Sequence, residues 1–178
     1  MIEPNKIKKA FDKVEEENWI LRAFLKDIDD VDELDKLVNS MHKEFFDNYD
    51  CSKCGNCCKM IVSYFDESEI KVASENLKIS VDDFKKIYLK KTTDGYIMNK
   101  KPCLFWEDSK CTIYKIRPEN CREYPYTDKE EIWSRLINLV ENSSVCPIVF
   151  EIFERLKKYY GTEFQKYKKE YKKIWGDF

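Results

Sequence analysis

The chain has 178 residues, 43% hydrophobic and 37% charged, with 32 Lys and Arg against 34 Asp and Glu for a formal net charge of -2. That size and apolar content suit one globular unit with its own core, and the charge balance lacks the basic excess expected of a nucleic-acid binder. No apolar run reaches the roughly eighteen residues of a membrane span, and the charged start Met1-Ile2-Glu3-Pro4-Asn5-Lys6 has no signal-peptide core. The expectation is a cytoplasmic protein with no membrane partner.

Residues 5 to 50 read as helix, because Ile7, Phe11, Val14, Asn18, Leu21, Leu25 and Ile28 recur at steps of four and three. Asn18 is the polar member of that seam and is placed at a solvent-facing edge, the alternative being a buried Asn that fixes register. A break near Asp29 and Asp30 divides the segment, and Val31, Leu34, Val38, Met41 and Phe45 restart the seam behind an Asp30/Glu33 capping box.

A cysteine block follows as a loop, and Lys59 to Phe65 reads as a short extended run. Asp66 is placed to cap a helix over Glu67 to Leu77, and Ser80 with Asp83 to cap another through Tyr88 and Leu89. Thr93-Asp94-Gly95 turns the chain into Tyr96-Ile97-Met98, and Leu104-Phe105-Trp106 leads into a polar turn over Glu107 to Lys110. Pro118 suits the first turn of a short helix carrying Cys121 and Arg122. Helices over 128–142 and 147–160 come next; Gly161 ends the second, and Thr162 caps a last one bearing Phe164, Tyr167, Tyr171 and Ile174 on one face.

The fold class is therefore mainly α: a helical scaffold with a small irregular, short-stranded, cysteine-rich metal-binding region. It divides into an N-terminal helical region (1–50) packed on the core, the cysteine region (51–126) and a C-terminal helical region (127–178), together one globular domain.

Half of the 8 cysteines fall in Cys51-Ser52-Lys53-Cys54-Gly55-Asn56-Cys57-Cys58; the others are Cys103, Cys111, Cys121 and Cys146. In a reducing compartment such clustering points to metal ligation more than to a disulfide framework. A CxxC turn aims two sulfurs at one ion, and Gly after the second Cys eases the turn, so Cys51, Cys54 and Gly55 fit a zinc knuckle. Adding Cys57 and the remote Cys146-Pro147 gives the spacing logic of a ferredoxin-type cluster, so zinc and iron-sulfur both stay open, with a slight preference for iron-sulfur. Adjacent Cys57 and Cys58 sit poorly on one tetrahedral ion, which favours two metals or a cluster, with Cys103, Cys111 and Cys121 as partners for Cys58. Arg117, Arg122, Lys59 and the start of the Pro118 helix are placed to offset thiolate charge. The competing readings are a disulfide or thiol-exchange role and ordinary burial of single cysteines.

The block at 51–58 followed by Pro102-Cys103-Leu104-Phe105, Cys111-Thr112-Ile113-Tyr114, Arg117-Pro118 and Cys121-Arg122-Glu123-Tyr124-Pro125 resembles the CxxCxxCC, or YkgJ-type, family of zinc- or iron-chelating proteins. The resemblance covers about residues 51 to 126 and implies a metal-chelating domain. A related block is similar to that of the bacterial flagellin lysine methylase, for which the implied cofactor is an iron-sulfur cluster. It carries over no catalytic residue.

Weaker signals receive local explanations. His42, the one histidine, sits beside Met41 on a helix as a surface or half-buried residue. Asp47, Asp50, Glu107, Asp108 and Glu123 read as solvated or turn carboxylates, and Tyr114, Tyr124 and Arg117 as support for the metal site. Lysines 166, 168, 169, 172 and 173 lie opposite aromatics at helical spacing, a docked amphipathic helix and not an RNA-binding tail. Three functions follow as expectations: a metal-binding protein using all eight cysteines, a metal-cofactor enzyme that modifies a protein or small molecule, and a zinc module that binds a macromolecule. The partner expected is a protein or small molecule.

Overall fold

A computed structural model describes residues 1–176. It is 64% helical, with a few short strands in small sheets. In chain order, a 3-10 turn (Pro4–Lys6) leads into α1 (Ile7–Phe11), α2 (Glu15–Lys26) and α3 (Val31–Phe46). Two short helices, α4 (Cys51–Cys54) and α5 (Asn56–Met60), precede β1 (Tyr64–Phe65), α6 (Glu67–Leu77), α7 (Val81–Tyr88), β2 (Leu89–Thr92) and β3 (Gly95–Met98). There follow β4 (Trp106–Glu107), β5 (Lys110–Cys111), α8 (Glu119–Arg122), α9 (Leu136–Ser143) and α10 (Pro147–Trp175). Among the described residues, no single helix is long and apolar enough to cross a membrane.

Two compact units emerge: residues 1–49 together with the chain from Pro125 onward, and residues 50–124. The first is a helical bundle around Leu21, Leu25, Leu34, Val38, Ile148 and Phe153, all essentially inaccessible to solvent. Asn18 is buried here and not at an edge: its Nδ2 donates to Ser143 Oγ at 3.3 Å, so its amide is a core group of the bundle. The seam misplaces it because periodicity assigns a face without saying how much of that face is covered.

Asp30 caps α3, its side chain accepting from Glu33 N at 2.8 Å. The Glu33 carboxylate accepts from Tyr159 OH at 2.6 Å. Besides the expected break before Val31, the first helix is also interrupted across 12–14, where the seam runs on unbroken.

Gly161, at φ 40 and ψ -111, interrupts α10 as expected: the element is two helices meeting at a kink there, the second running on to Trp175. That last stretch docks on α2, with Phe164 buried against Phe24, Lys172 Nζ donating to Glu16 at 2.9 Å, Lys168 paired with Glu17, and Tyr167 OH donating to Asp27 at 2.8 Å. Ile174, assigned to the docked face, is 71% exposed.

In the second unit α6 begins with a complete capping box, Asp66 accepting from Glu69 N and Glu69 Oε2 accepting from Asp66 N. Ser80 Oγ caps α7 by accepting from Asp83 N at 3.0 Å. The hairpin through Thr93-Asp94 pairs β2 with β3, and β1 adds to the other edge, giving an antiparallel sheet of order β1-β3-β2. Phe65, Ile70, Phe84, Met98, Phe105 and Ile113 form the core beneath it. The loops that carry the cysteines are mounted on this core.

Candidate metal centre

The cysteine block is helical where the sequence suggests a loop. Asp50 caps α4 by accepting from Ser52 N at 3.0 Å, and Gly55, at φ 60 and ψ 9, ends α4 and starts α5. A left-handed residue between two single-turn helices suits glycine, which adopts positive φ without steric cost. The indole of Trp106 lies against Gly55, where any Cβ would collide with it. Helices this short do not persist alone. Tertiary packing of this kind holds the Cys51 and Cys54 turn in place.

The later cysteines arrive on three separate pieces of chain. Cys103 N donates to Cys58 O at 2.8 Å, tying its loop to α5. Two residues at positive φ, Asp108 and Ser109, turn β4 into β5, so that Cys111 pairs with Trp106. Pro118 stands at the N-cap of α8, one position before the first helical turn, and Glu69 Oε1 accepts from Glu119 N at 2.6 Å. Cys121 on this helix lies 3.2 Å from Ser63 Oγ.

Cys58, Cys103, Cys111 and Cys121 consequently lie within reach of one another's charge, each thiolate opposing ionisation of its neighbours. Burial is the larger influence on Cys103, Cys111 and Cys121 and pushes all three thiols up, Cys121 to about 11. Cys58 is raised first by its hydrogen bond with Cys57 and then by burial. Cys51, exposed as a residue, still has its thiol raised by loss of solvent among its neighbours and by the charge of Cys54.

One cation works against these increases at several sulfurs. Arg117 lowers the pKa of Cys51, Cys58 and Cys111, though not enough to offset burial. Its guanidinium sits 3.8 Å over the Tyr114 ring and donates from Nη1 to Tyr114 O at 2.9 Å, while Arg122 Nη1 donates to Arg117 O at 2.5 Å. Lys59 sits 5.6 Å above the Trp106 ring. Arg117 thus fills the charge-offsetting place expected of it.

The donor set fits a thiophilic metal: soft sulfurs suit zinc and iron-sulfur centres, and a bound cation would relieve both the mutual repulsion and the cost of ionising half-buried thiols. Among the described residues no group of three or more His, Cys, Asp or Glu side chains is already arranged to hold an ion. The loops bring the sulfurs near one another without closing a coordination shell.

Cys51 is exposed, Cys54 and Cys57 are half-buried, and none of the described cysteines forms a disulfide. Cys146 belongs to the helical unit, buried at the N-cap of α10 with Pro147 in its first turn. His42 is also in that unit, its ring stacked on Phe46 and its Nδ1 2.8 Å from Thr127 Oγ1.

Two contributors were not singled out by spacing: Trp106, which backs the Gly55 turn, and Ser63, buried beside Cys121. The signal for Ser63 was a small hydroxyl between Val62 and Tyr64 in an otherwise apolar run.

A family model described as "CxxCxxCC: Putative zinc- or iron-chelating domain" matches residues 50–147, more than half of the chain. The match continues beyond the segment 51–126 identified from motifs and takes in Cys146-Pro147. An uncharacterised protein of Methanocaldococcus jannaschii is 35% identical over 85 residues, 44% of this chain and 45% of that protein. The chain thus spans somewhat under half the length of that curated relative. No solved structure matches.

Proposed function

This chain belongs to the CxxCxxCC family of zinc- or iron-chelating domains, and on that premise we propose that its cysteine unit holds a thiolate-ligated metal centre, an iron-sulfur cluster in preference to zinc. The observation that carries the reading is the convergence of Cys58, Cys103, Cys111 and Cys121 from α5, the loop before β4, β5 and α8, with Cys103 N bonded to Cys58 O and Cys111 paired with Trp106. Four half-buried thiols drawn together from separate elements are costly to ionise, and a bound cation offsets that cost beyond what Arg117 does.

The preference for iron-sulfur rests on the CxxCxxC run, which offers three thiolates in succession within one unit. The left-handed Gly55 after Cys54 argues the other way, as in a zinc knuckle. A cluster would supply electron transfer and zinc would supply structure or Lewis acidity; in either case Arg117 offsets the ligand charge. Because the ligands must stay reduced, the reading carries a cytoplasmic setting with it, and the partner would be a protein or small molecule.

Purification without oxygen, followed by metal and acid-labile sulfide analysis and a visible spectrum, tests this reading. Iron with sulfide and a broad brown absorption is the expected outcome. Colourless protein with stoichiometric zinc would replace the cluster by zinc, and protein with neither metal would overturn the proposal.

A further inference from the structure

Ser63 is 9% exposed, on the residue before β1, and its backbone is fixed by Met98 N donating to Ser63 O at 2.8 Å. Its hydroxyl stands 3.2 Å from Cys121 Sγ, and at Cys103, whose thiol burial raises, the same hydroxyl acts in the lowering direction. These cysteines are eighteen residues apart in sequence, on different elements, and share no backbone hydrogen bond. The hydroxyl is the group that links them.

With both cysteines as thiols, either partner of the 3.2 Å contact can donate. Once a sulfur is a metal-bound thiolate it only accepts, so the Ser63 hydroxyl becomes the donor. A hydrogen bond to a ligating sulfur orients it, withdraws electron density from it and lowers the cost of its ionisation. In clusters, hydrogen bonds to sulfur help set the reduction potential.

We propose that Ser63 is a positioning residue whose buried hydroxyl holds Cys121 and Cys103 toward a single metal ion or cluster that Cys58 also serves. The assignment rests on the metal-binding reading above and adds to it which cysteines share a centre. Cys58 enters through geometry, because Cys103 N is bonded to its carbonyl. No part of the CxxC turn at Cys51 and Cys54 is required.

The test uses the whole 178-residue chain, reduced and metal-free, titrated anaerobically with Co(II), whose sulfur-to-metal charge-transfer bands report the number and character of thiolate ligands. Ser63→Ala is expected to weaken Co(II) binding about ten- to a hundredfold and to shift the charge-transfer band, and Ser63→Thr, which keeps the hydroxyl, to restore both. Cys103→Ser and Cys121→Ser are each expected to diminish the same band. If Ser63→Ala leaves affinity and band unchanged while the cysteine variants alter them, the role of Ser63 is overturned and the metal reading survives. If only one of the two cysteine variants changes the band, the shared centre is overturned. If wild-type chain binds no Co(II), the metal reading fails and the proposal with it.

Discussion

The Trp106 indole occupies the space that a side chain on Gly55 would need, so the turn between the two cysteine helices is fixed by one residue having no Cβ and another having a large ring. Everything spaced around that turn depends on it: Cys51 and Cys54 before it, Cys57 and Cys58 after it.

Gly55→Ala should therefore cost more than an ordinary left-handed substitution. Placing a Cβ at φ 60 costs roughly 1–2 kcal/mol, and forcing it into a packed ring adds about 1–3 kcal/mol. Denaturant unfolding of the metal-free chain measures the total. Combining Gly55→Ala with Trp106→Leu removes the clash and leaves the backbone cost, so the double variant should lose less stability than the two single changes predict. Strict additivity would show that the ring does not set the turn.

The half-buried thiols make the metal-free protein sensitive to alkaline pH, and the sign follows from their raised values. Below about 9, the ordinary thiol value, folded and unfolded chains are both protonated at Cys121 and stability does not depend on it. Between about 9 and 11 the unfolded chain loses this proton first, while the folded chain retains it. The unfolded state then binds fewer protons, and stability falls as pH rises. Partial exposure limits the loss from Cys121 to about 1–2 kcal/mol across that window. Urea unfolding between pH 8 and 11 should show the decline in the wild type and a shallower one in Cys121→Ser. Parallel curves would remove Cys121 as a source. Metal binding runs the other way, strengthening as pH rises, because the ion displaces the same protons.

The parts that sequence made legible are those set by local chemistry. Asp66 and the Ser80/Asp83 pair declared two helix starts, and Thr93-Asp94-Gly95 declared a turn, because caps and turns are built from neighbours; the strand before that turn, Leu89–Thr92, was not read. The mainly helical class followed from periodicity, and the family from the spacing of its cysteines. The Cys51–Cys58 helices were hidden because a four-residue helix has no period to read and owes its existence to Trp106, fifty-one residues beyond Gly55. Ser63 was hidden for a related reason: a hydroxyl declares a role only when the fold brings a sulfur to it.

Asn18 shows the same limit and supplies the last prediction. Its Nδ2 donates to Ser143 Oγ at 3.3 Å, while its Oδ1 is buried with no hydrogen-bond partner among the described residues. Ser143 keeps a second bond of its own, donating to Val140 O at 2.6 Å, so removing the amide leaves the hydroxyl satisfied as a donor. An unsatisfied buried acceptor costs about 1–3 kcal/mol, comparable to what one long neutral hydrogen bond returns. Asn18→Leu, close in volume and without polar atoms, should consequently be neutral or stabilising by up to about 1 kcal/mol in thermal or urea unfolding. Asn18→Asp puts a charge in the same place with one hydroxyl beside it and should destabilise by about 3 kcal/mol or more at pH 7, recovering as the pH falls and the carboxyl is protonated. A large loss in the leucine variant would mean that the amide is a required element of the bundle, and the reading of its Oδ1 as a net cost would be wrong.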